Sequence, residues 1–339
     1  MSRKNVLLVF GGESSEHDVS VLSARNIYAA MDNQKYHVDL CYIDKHGKWW
    51  LLDEWKDNLH QHGGVQLVVA LGMKSFVTLP GNNVLRPDVI FPALHGRNGE
   101  DGTVQGLFDL LHIPYVGCGV QASADCMDKE VTKVLVSQGG ISVAPYIKVD
   151  YGESTSYKKA AEVLGSTLFV KPARSGSSVG ISKVTNAHDF GLALESARQE
   201  DTKIIIEGAI DGRELEVAVL GNPPHQKASN VGEIVAGEEF YSYEDKYASD
   251  SKAVVLTSIE IDESVRSELR TQACKAYQLL GCRGLARVDF FLTRNGKIIL
   301  NEINTLPGFT NISQYPKLWH EQGVKYPQLI DKLIELALQ

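Results

Sequence analysis

The chain opens with a continuous apolar run, Val6-Leu7-Leu8-Val9-Phe10, of the kind shown by a parallel strand buried on both faces. The run breaks at Gly11-Gly12, after which Val21, Leu22, Ala24, Ile27, Tyr28 and Met31 recur at helical spacing. The alternation continues with a strand over 38–43, an extended piece over 48–52, a strand over 88–94, a helix over 103–111 and a short strand at 115–116. Strand and helix in turn predict a doubly wound α/β unit that holds ligands at the carboxyl ends of its strands.

A helix over about 122–138, ended by Gly139-Gly140, leads out of this unit. Strands are then predicted over 143–149, 168–171, 179–184 and 203–207, with helices over 157–164 and 187–199, which makes a small α+β unit. The last third reads as antiparallel strands over 215–220, 233–235, 254–256, 286–292 and 297–301, with a long helix over 263–280 and an amphipathic helix over 329–338. Residues 237–251 form a polar, tyrosine-rich loop of the length lids have. The expected division is into three units, 1–121, 122–210 and 211–339.

Candidate chemistry gathers where these elements end. Asp289 closes one predicted strand, and Asn301-Glu302-Ile303-Asn304 closes its neighbour, followed by Thr305-Leu306-Pro307-Gly308. Glu302 and Asn304 share a face and follow the apolar Ile298-Ile299-Leu300, so both stand at the rim of a buried sheet. Beside Asp289 these acids repel unless a cation sits between them, and hard oxygen donors suit Mg²⁺ shared with nucleotide phosphates. Simple solvated strand ends are the alternative. The Gly308 N–H lies where an oxyanion could be held.

Residues 169–180, Phe-Val-Lys-Pro-Ala-Arg-Ser-Gly-Ser-Ser-Val-Gly, offer backbone N–H groups beside Lys171 that could cover phosphates, or form only a polar hairpin tip. No Walker motif occurs, and no G-x-G-x-x-G follows the first strand. Glu13, Glu16 and Asp18 crowd the start of the first helix, where acids suit a cation or an ammonium group better than a phosphate, although a capping turn explains some of them. Lys246 and Tyr247 in the polar loop could meet a phosphate and a substrate hydroxyl or carboxylate, and His95 and Arg97 stand at another strand end.

Composition narrows the picture. A chain of 339 residues, 43% hydrophobic and 22% charged, is expected to be globular with two or three domains. Its net charge of −8 argues against a nucleic-acid binder. Cys41, Cys118, Cys126, Cys274 and Cys282 are scattered without a C-x-x-C spacing, so reduced thiols are expected. Met1-Ser2-Arg3-Lys4 runs directly into the first strand and no apolar stretch suits a bilayer, so a cytoplasmic protein without membrane association is expected.

The ordered set Glu16-His17-Asp18-Val19-Ser20, Leu94-His95-Gly96, Gly99-Glu100-Asp101-Gly102, Met127-Asp128-Lys129, Val170-Lys171-Pro172, Gly176-Ser177-Ser178-Val179-Gly180, Lys246-Tyr247, Ala286-Arg287-Val288-Asp289 and Asn301 through Gly308 resembles the D-alanine:D-alanine ligase family, which are ATP-grasp enzymes. The resemblance spans essentially the whole chain. It implies an ATP-grasp fold behind a Rossmann-like first domain, and ATP-driven condensation of two D-alanines through an acyl phosphate for peptidoglycan precursors. It also implies two Mg²⁺ (or Mn²⁺) ions on Asp289, Glu302 and Asn304. Lys129 and Lys171 would contact phosphates, with Glu207, Gly208, Ala209, Ile210 and Glu214 around adenine and ribose, and with Lys246 and Asn301 on the nucleotide side. Relatives often carry a longer polar residue at the position of Gly208. Glu16 would bind the ammonium of the first D-alanine and connect to Ser177 and Tyr247. Arg287 and the Gly308 N–H would stabilise the oxyanion, and Ser313 would bind the carboxylate of the second D-alanine. A homodimer through the first domain is implied as well. Competing expectations are D-lactate or D-serine as second substrate (Tyr247 favours D-alanine), a Rossmann-type oxidoreductase, and a chain that only binds nucleotide.

Overall fold

The computed structural model describes residues 3–56, 58–59, 63–176, 179–235 and 254–339. The first apolar run is β1 (Lys4–Gly11), fully buried from Val6 onward. It lies parallel to both β2 (Tyr36–Ile43) and β7 (Val89–Ala93), which cover its edges. Each of its faces enters a core, Val6, Leu8 and Phe10 in one and Leu7 and Val9 in the other, so neither face needs a polar residue. Beyond β2 the sheet turns antiparallel through β3 (Trp49–Leu52), β4 (Val65–Ala70), β5 (Ser75–Leu79) and β6 (Val84–Leu85), in the order β6-β5-β4-β3-β2-β1-β7. Only its β2-β1-β7 part has the parallel pairing expected of a doubly wound unit. The meander β4 to β6 had no counterpart in the hydrophobic pattern, because its strands are short and half exposed. Helix α1 (His17–Ala30) lays Ser20, Ser23, Ala24 and Ile27 inward against β1, and α2 (Thr103–Leu111) matches its expected bounds.

The single helix expected over 122–138 is two helices, α3 (Val120–Met127) and α4 (Lys129–Gln138). Asp128 is extended (ψ 103°) and its carboxylate accepts the Glu130 and Val131 N–H groups as the cap of α4. Apolar spacing carries across this break, so periodicity alone misses it. The cap sets Lys129 at the first position of α4.

The second sheet is antiparallel, ordered β10-β9-β11-β8, from β8 (Tyr146–Val149), β9 (Leu168–Pro172), β10 (Ser182–Val184) and β11 (Ile204–Gly208). Helices α5 (Tyr157–Leu164) and α6 (Ala187–Glu200) close its core over Val170, Phe190, Ala197 and Ile206. Two strands are shorter than expected: β8 starts at Tyr146, since Val143 bridges instead to Leu300 of the last sheet, and β10 starts at Ser182.

The third sheet is β14-β13-β12-β15-β16, from β12 (Gly212–Leu220), β13 (Lys227–Val235), β14 (Val254–Leu256), β15 (Leu285–Thr293) and β16 (Ile298–Asn304). Helix α7 (Glu263–Leu279) buries Leu269, Ala273, Ala276 and Tyr277 on it. Helix α8 (Gln314–Glu321), absent from the expectations, and α9 (Tyr326–Ala337) join a core shared with the first sheet, where Phe10, Ile27, Phe309, Tyr315 and Leu333 pack together. This common core fixes the ends of the first and third sheets against each other. No described helix is long and apolar enough to cross a membrane.

Candidate active site

Strand register builds the centre of the site. Glu216 of β12 pairs with Asp289 of β15, which pairs with Glu302 of β16, so three carboxylates stand in one row across three strands. Cross-strand partners share a face, and the neighbouring rung on that face carries Arg287 opposite Asn304. The Arg287 guanidinium donates to both Asp289 oxygens, Nε to Oδ1 at 2.8 Å and Nη2 to Oδ2 at 2.7 Å. Its Nε also lies 3.1 Å from Glu216 Oε1. Burial works against the charge, but Asp289 and Glu216 hold the guanidinium proton far more tightly than in water. Asn304 Oδ1 accepts the Leu306 N–H at 3.0 Å, which fixes the turn toward Gly308.

One cleft collects Glu16, Lys129, Glu214, Arg287, Asp289, Glu302, Asn304, Gly308 and Ser313 from the predicted set. Glu16 is buried, and its Oε2 lies so close to Gly96 (φ +72°) that any side chain there would meet it; a Cβ on Gly176 would lie 3.0 Å away. The first unit therefore presents its carboxylate to the loop after β9. Lys129 Nζ donates to Ser175 O at 2.7 Å and lies 3.7 Å from Glu302 Oε2. Ser313 Oγ accepts the Thr310 N–H at 3.0 Å and lies 2.8 Å from the Thr310 hydroxyl.

Lys171 and Glu207 form a second buried group beside it. Lys171 Nζ lies 2.5 Å from Glu207 Oε2 and Lys133 Nζ lies 2.7 Å from Oε1. Burial by itself would raise the Glu207 carboxyl, yet the two ammonium groups hold it at about 2. Burial lowers Lys133, whereas Glu207, aided by Glu302 and Glu214, outweighs burial at Lys171 and raises it.

Among the described residues the cleft lining excludes Gly208, Ala209, Ile210 and Asn301. Gly208 ends β11 where a Cβ would overlap the Leu164 carbonyl, so close approach of α5 accounts for the glycine. Ser177, Lys246, Tyr247 and the whole of the loop 237–251 lie outside the described residues. Glu216 and Lys133 were not foreseen. The Glu214-x-Glu216 alternation in an apolar strand was the available signal for the first, and nothing marks a buried lysine in α4. His95, read only as a strand-end residue, is buried, with Nδ1 3.0 Å from Leu306 O and 3.4 Å from Glu100 Oε1. Burial opposes its charging, but Glu100 and Glu16 raise the ring above its ordinary 6.5.

Comparison with known proteins agrees over the full length. Family models described as "D-ala D-ala ligase N-terminus" and "D-ala D-ala ligase C-terminus" match residues 5–118 and 135–335. The D-alanine–D-alanine ligase of Proteus mirabilis is 44% identical, the alignment covering 100% of this chain and 96% of the relative. D-alanine–D-alanine ligase A of Escherichia coli K12 is also 44% identical, with 100% and 97% covered. Among solved structures, the D-alanine–D-alanine ligase of Coxiella burnetii superposes with a TM-score of 0.90 at 37% identity, covering 100% of this chain and 94% of that one. The VanG D-Ala:D-Ser ligase of Enterococcus faecalis gives 0.88 at 34% identity, with 99% and 100% covered. With its fold and both halves of its sequence matched, this chain belongs to the D-alanine–D-alanine ligase family.

Proposed function

We propose that the chain condenses two D-alanines to D-alanyl-D-alanine, converting ATP to ADP and phosphate, in the supply of peptidoglycan precursors. The observation that carries this is the convergence of Glu16, the Arg287–Asp289–Glu302 group and Gly308 on one cleft. The division into units 1–121, 122–210 and 211–339, a cytoplasmic location and a homodimer through the first unit belong to the same proposal; sedimentation or light scattering tests the last.

Asp289, Glu302 and Asn304 fit the expected metals: their oxygens are hard donors on adjoining rungs, and the two carboxylates face each other across a strand pair. Among the described residues no group of three or more His, Cys, Asp or Glu side chains is placed to hold a metal ion, so the proposed ligand set rests on these two carboxylates and the Asn304 amide oxygen. Bound Mg²⁺ (or Mn²⁺), two ions in this reading, would neutralise charge on the phosphate oxygens.

The chain's own groups do the rest. Glu16 pairs with the ammonium of the first D-alanine and turns its carboxylate toward the γ-phosphorus of ATP. Attack there breaks the bond to ADP, while Lys171 and Lys129 offset the charge on the transferred group. The acyl phosphate needs a dry cleft, and the approach of the Gly176 loop to Glu16 supports such closure. Ser313, oriented by Thr310, donates to the carboxylate of the second D-alanine. Its free amine attacks the acyl carbon, Arg287 and the Gly308 N–H hold the oxyanion, and the C–O bond to phosphate breaks. In the same proposal Ser177, Tyr247 and Lys246 act from the lids, Glu207 through Ile210 and Glu214 contact the nucleotide, and Asn301 lies beside them.

Phosphate release from ATP with D-alanine, L-alanine, D-lactate or D-serine, singly and in pairs, tests the reading. Turnover with D-alanine alone is expected. Its absence would sink the proposal, and faster turnover on adding D-serine or D-lactate would move it to the depsipeptide or mixed-dipeptide alternative.

A further inference from the structure

The segment Leu306-Pro307-Gly308-Phe309 comes from the third unit, but groups from the first unit hold it. Buried Ser23 of α1 accepts the Phe309 N–H at 3.2 Å. The same hydroxyl lies 2.9 Å from His95 Nε2. A carbonyl can only accept, so His95 Nδ1–H donates to Leu306 O at 3.0 Å, which turns Nε2 toward the Ser23 hydroxyl. The Phe309 carbonyl accepts from Asn26 Nδ2 at 3.1 Å and from the Tyr326 hydroxyl at 2.8 Å. Asn304 Oδ1 takes the Leu306 N–H.

Every peptide group around the one that bears the Gly308 N–H is therefore pinned. The Gly308 N–H itself has no acceptor among the described residues and borders the cleft. An oxyanion donor acts by being aimed before the charge develops, so the groups that fix its neighbours fix its worth. Ser23 joins both sides of the clamp, through Phe309 directly and through the His95 ring to Leu306.

We infer that Ser23 is a positioning residue that aims the Gly308 N–H at the tetrahedral adduct by pinning the flanking peptides from α1. This rests on the reading of Gly308 as an oxyanion donor. Ser23 touches no reacting atom.

The test is calorimetric titration of the full-length protein, in the presence of MgADP, with a phosphinate analogue of D-alanyl-D-alanine, whose tetrahedral phosphorus stands for the attacked carbon. Ser23→Ala should weaken phosphinate binding roughly tenfold to a hundredfold while MgADP affinity stays within about twofold. The control is Ser20→Ala, one turn earlier on α1. Ser20 is equally buried and bonded to Gly11 N–H and Ala93 O, but bonds neither Phe309 nor His95. It should lower the melting temperature and leave phosphinate affinity unchanged. Equal loss in both variants, or no loss in Ser23→Ala, overturns the inference. Should Ser23→Ala not fold, Ser23→Cys fills the site with a somewhat larger group that is a poor acceptor and reads the same ratio. If the unaltered protein binds the phosphinate no more tightly than the dipeptide, the reading of Gly308 itself fails; if it does discriminate and Ser23→Ala keeps that discrimination, only the positioning role fails.

Discussion

Glu207→Gln isolates the electrostatic centre of the second sheet. In the folded chain its carboxylate sits between Lys171 and Lys133, at 2.5 and 2.7 Å, with all three side chains largely out of water. Despite burial, the lysines hold the carboxyl at about 2, against an ordinary 4.5. At 1.36 kcal/mol per pH unit, that difference corresponds to roughly 3 kcal/mol of native-state stabilisation. Because the folded value is depressed, the stabilisation is complete above about pH 4.5 and is lost as pH falls toward about 2. Glutamine keeps the shape, removes the charge and leaves two buried ammonium groups facing each other, a loss of the order that broken buried pairs show, ~3 kcal/mol. Urea unfolding at a series of pH values measures this, with amide hydrogen exchange locating the loss in β9 and β11. The two proteins should differ by about 3 kcal/mol at neutral pH, and the gap should narrow once the pH falls below about 4.5. A gap that stays constant through that window, or no gap at neutral pH, refutes the assignment of the stabilisation to the Glu207 charge.

Glu302→Gln should abolish turnover and weaken Mn²⁺ binding, read by paramagnetic resonance, with circular dichroism unchanged; retained activity would mean the metal assignment is wrong. Arg287→Ala should lower kcat roughly 10²-fold, about 3 kcal/mol, in steady-state phosphate release, and a kcat within about twofold would remove it from the oxyanion site. Gly96→Ala adds a strained left-handed residue and drives its Cβ into the Glu16 carboxylate, so KM for D-alanine should rise while KM for ATP stays near its original value. An equal rise in both constants would point to general distortion instead.

The parts of the fold legible in the sequence are those whose burial leaves a period. Val6 to Phe10 is apolar without interruption because its two faces pack into two different cores, and α5 and α2 were legible as helices. Strands β4 to β6 were hidden for the opposite reason, since one face meets solvent and the residues alternate weakly. The break at Asp128 left the period intact, because α3 and α4 are both helical and the interruption is a single capping residue. Val143 was assigned to the wrong sheet, since an apolar residue does not say which neighbour it will bridge.

The candidate site divides along the same line. Asp289, Glu302 and Asn304 were legible because acids and an amide at the end of an apolar run leave a local mark. Glu216 became part of the site only through register: moving β12 by one residue against β15 would turn it to the opposite face, away from Arg287. Ser23 was less legible still, since its partner Phe309 lies 286 residues away and a serine inside a helix reads as an indifferent residue. Its hydroxyl matters because the shared core of the first and third units brings α1 under the Gly308 turn. What the sequence carries locally is the inventory of charged groups. Which peptide groups are held still beside them depends on how two distant sheets pack, so aim, unlike composition, had to be read from the structure.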